Sequence, residues 1–279
     1  MRWQGRRGSR NIEDRRGRSG AAMGGIGGLG LLAVLAIGYF LGIDVTPLLE
    51  GTVPQGTGTT ELSEADRQRG EFVSVVLADS EEVWSGVFER QLGRSYTPTT
   101  LVLYTGGAQS PCGLASGATG PFYCPGDRKI YLDTGFFATL DRQLGAGGDF
   151  AAAYVVAHEV GHHVQDELGI LGLVNQRRAQ VDAATSNALS VRVELQADCF
   201  AGIFARFEQG KGYIEGGDIA EAMNAAARIG DDTLQKNAGR RPMPDSFTHG
   251  TSRQRQDWFA RGYESGEVSQ CDTLAADRL

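Results

Sequence analysis

The residues best suited to do chemistry are His158, Glu159 and His162, in the run Ala157-His158-Glu159-Val160-Gly161-His162-His163. On a helix, residues four apart sit about 6 Å apart along the axis and share a face. Both imidazoles then reach one metal ion, and Glu159 is placed to take a proton from a water that the ion activates. Two polar residues on an ordinary solvated helix face would give the same letters. The surroundings argue otherwise. Residues 149–168 are apolar almost all round (Phe150, Ala151, Ala152, Ala153, Val155, Val156, Val160, Val164), the pattern of a buried helix. Buried imidazole and carboxylate groups without partners cost on the order of several kcal/mol, and a metal supplies partners. His163 projects about 100° away from the metal face, so a structural role is expected of it.

A catalytic zinc commonly takes three protein ligands and keeps one position for water, and two histidines with a glutamate form one such set. A second long helical stretch, residues 182–208, holds Glu194-Leu195-Gln196-Ala197-Asp198-Cys199-Phe200. Glu194 is the candidate third ligand. Asp198, one turn on, is placed to accept the other ring N–H of a ligating histidine and fix its tautomer. A solvated carboxylate pair is the alternative, weakened by Leu195, Ala197, Cys199, Phe200, Ile203 and Phe204 around it. Only four histidines occur, and His249 is the one outside the metal helix. It is read either as an exposed loop residue or as a donor to the oxyanion formed on a peptide carbonyl, with Arg253 and Arg255 as alternatives for that role. Imidazole and carboxylate donors suit zinc, without excluding manganese or cobalt.

The elements that carry these residues occupy a chain of 279 residues with 41% hydrophobic and 22% charged content, ordinary for a globular protein; forty glycines point to many turns. The net charge of -7 hides an asymmetry: residues 1–20 contain seven arginines against Glu13 and Asp14, so the remainder is more acidic still. An acidic body behind a basic tail is a poor nucleic-acid binder. Residues 20–43 carry no charge and are long enough to cross a hydrocarbon core of roughly 30 Å. Arginines on the near side and Asp44 beyond predict a cytoplasmic tail at 1–19, a transmembrane anchor at 20–43, and the rest on the far side of the membrane. A cleaved signal peptide is the rival, disfavoured by the length of the run and the lack of a small-x-small site. Residues 44–60 read as a flexible linker, and 61–279 as one domain.

All four cysteines lie beyond the anchor, as expected of an oxidising compartment. Three pairings are open. Cys112–Cys124, closing a short Gly-rich loop, and Cys199–Cys271, tying the C-terminus to a core helix, are preferred. Helices are expected over 61–92, 134–144, 149–168 with Asp149 as N-cap and Gly169 as stop, 182–208 and 218–229. Strands are expected over 99–105 and 129–133, and a loop over 231–245. Thr251 with Gln254 forms a capping-box pattern for a last helix.

Together, His158-Glu159-x-x-His162 followed by Glu194-x-x-x-Asp198 resembles the gluzincin type of zinc peptidase. The start Met-Arg-Trp-Gln-Gly-Arg-Arg, Asp14-Arg15-Arg16-Gly17, Gly120-Pro121-Phe122-Tyr123-Cys124-Pro125, and His249-Gly250 with Arg255, Trp258 and Phe259 narrow it further. They are similar to the neutral zinc metallopeptidase family of bacterial membrane-anchored proteins. The resemblance implies a zincin-like α+β domain, mostly helical with a small sheet. It also implies a zinc endopeptidase in which His158, His162 and Glu194 hold Zn2+ and Glu159 is general base, with His249 assisting the transition state. A peptide or protein substrate is expected to add to the strand at 101–105. The alternative is a membrane-anchored binding protein in which zinc only knits helices together; the intact Glu159 speaks against it. Nothing in the sequence sets the oligomeric state.

Overall fold

Pro98 ends one pattern and the apolar, β-branched run after it starts another; in the computed structural model, which describes residues 1–17, 61–116 and 119–279, that run is strand β2 (Thr100–Tyr104). It lies inside a four-stranded sheet ordered β1-β2-β6-β5, with β1 Ile12–Asp14, β5 Phe122–Cys124 and β6 Lys129–Asp133. β1 and β6 run parallel to β2, and β5 runs antiparallel to β6. Alternation sends Leu101, Leu103, Ile130 and Leu132 into the helical core, and Val102, Tyr104 and Tyr131 to the other face. That other face is covered by a hairpin, β3 (Gly107–Ser110) and β4 (Gly113–Ser116), closed by the Cys112–Cys124 disulfide. Both preferred cysteine pairings are present.

The α-helices among the described residues are α1 (Glu64–Val87), α2 (Phe136–Arg142), α3 (Asp149–Glu167), α4 (Ile170–Arg178), α5 (Ala183–Gly210), α6 (Asp218–Arg228), α7 (Asp231–Asn237) and α8 (Ser252–Ser265). Their ends follow local chemistry. Ser63 caps α1, Asp182 caps α5 by accepting from Thr185 N at 3.0 Å, and Thr251 with Gln254 makes the expected capping box of α8. Helix α3 is buried along nearly its whole length, against α1, α5, α6 and the sheet. The architecture is α+β, mostly helical with two small sheets.

Several expectations are corrected. Gly148, not Asp149, is the N-cap of α3, and Asp149 is its first residue; Gly169 does end it, at φ 77°. The polar stretch after residue 230 is not all loop: acidic Asp231 and Asp232 open the short helix α7, where they face its N-terminal dipole. The strand at 101–105 has no free edge for a peptide, because β1 and β6 flank it. The largest correction concerns the N-terminus. Residues 1–16 are not a separate tail: Ile12–Asp14 form the outer strand, and Trp3 packs edge-on against Phe72 at 5.5 Å between ring centres. The first strand and the helical body are therefore parts of one packed unit. The expected anchor at 20–43 and linker at 44–60 lie outside the described residues. Among the described residues no helix is long and apolar enough to cross a membrane.

Candidate metal centre

Helices α3 and α5 come close because Gly161 has no side chain: a Cβ there would meet the Ala197 carbonyl oxygen at 3.1 Å and its Cα at 3.2 Å. That approach brings Glu194 to the histidine pair. His158 Nε2 lies 3.1 Å from Glu194 Oε2, His162 Nε2 lies 3.4 Å from Glu194 Oε1, and ligand atoms of all three residues lie within 4.8 Å of one another. The other nitrogen of each ring is engaged. His158 Nδ1 donates to Asp198 Oδ1 at 2.9 Å and His162 Nδ1 to Gln165 Oε1 at 2.8 Å. The Gln165 amide is oriented by its own donation to the Val193 carbonyl at 2.7 Å, so its oxygen faces the imidazole. Both rings therefore turn Nε2 toward Glu194, and with those nitrogens deprotonated their lone pairs would converge on one ion. Two such imidazoles and one carboxylate are a fitting donor set for a zinc ion.

Asp198 is fully buried and held from three sides. Arg255 donates to it twice, from Nε at 2.8 Å and Nη2 at 2.9 Å, and Tyr154 Oη donates at 2.5 Å. Arg255 reaches it because α8 lies almost on α5: a Cβ at Gly262 would overlap the Cys199 carbonyl, and one at Gly202 the Phe259 carbonyl. Burial opposes ionisation of Asp198, but Arg255 and His158 outweigh it and its pKa is lowered. Burial likewise disfavours charge on His158, yet Asp198 and Glu194 prevail and raise it to about 10. Glu194, though buried, is held well below its usual range by His162 and His158. Glu159 is buried, and no hydrogen bond or ion pair occupies its carboxylate among the described residues.

His249 sits in the turn before α8 with its side chain part exposed. Asp231 holds the whole turn: its Oδ2 accepts from the backbone N–H groups of Thr248, His249 and Gly250 at 2.8, 2.6 and 3.0 Å, and its Oδ1 lies 3.2 Å from His249 Nδ1. Burial works against the imidazolium, but Asp231 and the nearby Glu194 raise the His249 pKa. Arg253 pairs with Asp257 on the surface and Arg255 is used by Asp198, so neither takes the transition-state role considered for them. His163 faces away, toward Tyr123 Oη and the Thr97 carbonyl. Tyr154, Gln165 and Asp231 escaped the sequence reading. Tyr154 stands four residues before His158, a spacing that could have flagged it; Asp231, in a polar Gly-Asp-Asp run, gave no local sign. A second acidic group, Asp149, Asp218 and Glu221, is met by the Met1 ammonium, 2.7 Å from Asp149 Oδ1.

A mainly helical α+β fold bringing H-E-x-x-H and a glutamate from a neighbouring helix to one point is the arrangement of a zinc-peptidase-like site. The chain belongs to the family described as "Putative neutral zinc metallopeptidase", which it matches over residues 1–274. It is 48% identical to the uncharacterised protein YpfJ of Escherichia coli strain K12, across 98% of this chain and 99% of that protein. It is 45% identical to the uncharacterised protein Rv2575 of Mycobacterium tuberculosis strain H37Rv, across 66% of this chain and 65% of that one. No solved structure matches the chain.

Proposed function

We propose that the protein is a zinc-dependent endopeptidase with a zincin-like catalytic domain, held at a lipid bilayer through residues 20–43 and acting on peptides or proteins. The observation that carries this reading is the convergence of His158, His162 and Glu194 beside a Glu159 carboxylate that no hydrogen bond or ion pair among the described residues occupies. A zinc ion held by the three would supply Lewis-acid activation of a water and of the scissile carbonyl. The chain's own residues do the rest. Asp198, fixed by Arg255 and Tyr154, keeps His158 in the tautomer that offers Nε2. Glu159 takes the proton of the attacking water and passes it to the departing amine. His249, steadied by Asp231, donates to the carbonyl oxygen as negative charge grows there. The acidic body disfavours nucleic acid as a partner, and the two disulfides support an oxidising compartment for the domain.

The test is Glu159→Gln in the full chain, with zinc content and cleavage of a mixed peptide library measured together. Expected is unchanged zinc and loss of cleavage by at least about 100-fold. If wild type and variant bind zinc and are equally inert, the site only knits helices together and the protein is a binding module.

A further inference from the structure

We propose that residues 1–16 and the peptidase body occupy the same side of the membrane, the segment being an integral part of the fold rather than a tail in another compartment. Four independent contacts support it. Backbone pairing is the first: Leu101 N donates to the Asn11 carbonyl and Arg15 N to the Leu103 carbonyl, both at 2.8 Å, making β1 the outer strand of the sheet. The second is Arg6. Its guanidinium pairs with Asp79, lies 3.6 Å from Glu208 Oε2, and stacks 3.4 Å from the centre of the Tyr213 ring. Asp79 and Glu208 are 4% and 0% exposed, so without Arg6 two buried carboxylates on α1 and α5 would share Lys211 alone. Third, Arg16 is buried over Gly70, where any Cβ would collide with its guanidinium, and it donates to Asp14 and to the Asp66 carbonyl. Fourth, Glu81 of α1 accepts from Ser9 Oγ at 2.5 Å and Asn11 Nδ2 at 2.8 Å, and Glu13 accepts from Lys129 at 2.8 Å.

Groups in one hydrogen-bonded sheet cannot be parted by a hydrocarbon layer of roughly 30 Å. The arginines behind the expected orientation are also committed elsewhere. Arg6, Arg15 and Arg16 answer carboxylates of this same chain. Charge used in this way is part of the fold's own balance, and it does not mark a cytoplasmic face. The two disulfides favour an oxidising compartment for the body, and the N-terminal segment goes with it. Residues 1–17 and the body from residue 61 onward therefore lie on one side.

The test uses the full chain in spheroplasts of the producing cells. All four native cysteines are paired, so single surface thiols report cleanly. Gln4→Cys and Leu173→Cys, both exposed, are treated separately with a membrane-impermeant maleimide before and after permeabilisation. Labelling of both from the same side is expected; labelling from opposite sides overturns the proposal. A second variant, Gly8→Cys with Ser74→Cys, places two Cβ atoms close enough for a disulfide, with a specific protease site put into residues 51–60. Expected on a non-reducing gel after cleavage are two fragments still joined as a monomer, which part on reduction. Fragments that separate without reduction, or that join only as dimers, overturn docking within one chain.

Discussion

Asp198 governs how His158 meets a metal, because it is the acceptor that fixes the ring's tautomer, and Arg255 and Tyr154 govern Asp198. Asp198→Asn keeps the shape but removes the charge that favours His158 Nδ1–H. Zinc affinity is expected to fall about 10- to 100-fold, read by competition with a chromophoric chelator, while the folded state persists. His249 is independent of that network. His249→Ala is expected to lower kcat about 100-fold with zinc content unchanged, and Asp231→Asn to reproduce part of that loss by releasing the turn that presents the imidazole. A fall in zinc content instead would place His249 among the groups that hold the ion. At this scale the histidines, Glu159, Glu194 and Asp198 were legible from type and spacing, since helix geometry projects i and i+4 together. Gln165 was not, although it lies three residues beyond His162, because an amide has no charge to draw attention. The acceptor role of Asp231 toward His249 links residues 18 apart through a turn that no periodicity describes.

Between elements, the decisive contact is α3 on α5 at Gly161. Alanine there gains about 1 kcal/mol of helix propensity over glycine, and the crowding against Ala197 costs roughly 1–3 kcal/mol. The balance is a loss of roughly 0–2 kcal/mol, so Gly161→Ala is expected to lower urea stability of the apoprotein by no more than about 2 kcal/mol. Zinc affinity responds differently, because separating the helices by a few tenths of an ångström draws Glu194 from both imidazoles at once. A drop in zinc-binding free energy larger than the drop in apoprotein stability is the signature; equal losses would mean the glycine only packs. Helices and strands with clear periodicity were legible, α1, α3, α5, α8, β2 and β6 among them. The short strands β3, β4 and β5 were not. They lie in a Gly-, Ser- and Pro-rich stretch whose extended form is imposed by pairing and by the Cys112–Cys124 closure rather than by residue preference.

For the whole molecule, the role of the first sixteen residues was hidden because arginine-rich segments look alike whether their partners are phosphate headgroups or buried carboxylates far along the chain. Those carboxylates make the contribution measurable. Burial and the neighbouring Asp79 raise the Glu208 pKa to about 7. The native state thus holds a proton on Glu208 that the unfolded state releases above about 4.5, so this acid lowers stability progressively as pH rises from 4.5 through 7. Arg6 limits that loss in the ionised state. Arg6→Ala is therefore expected to destabilise the protein by about 3–5 kcal/mol at pH 8, where Asp79 loses its main counter-charge and Glu208 is left with Lys211. At pH 5 a proton on Glu208 takes over part of that compensation, and the loss is expected to be smaller by roughly half. Urea unfolding of wild type and variant at the two pH values measures the difference. A pH-independent loss would assign Arg6 to packing against Tyr213, a contact that is indifferent to the proton.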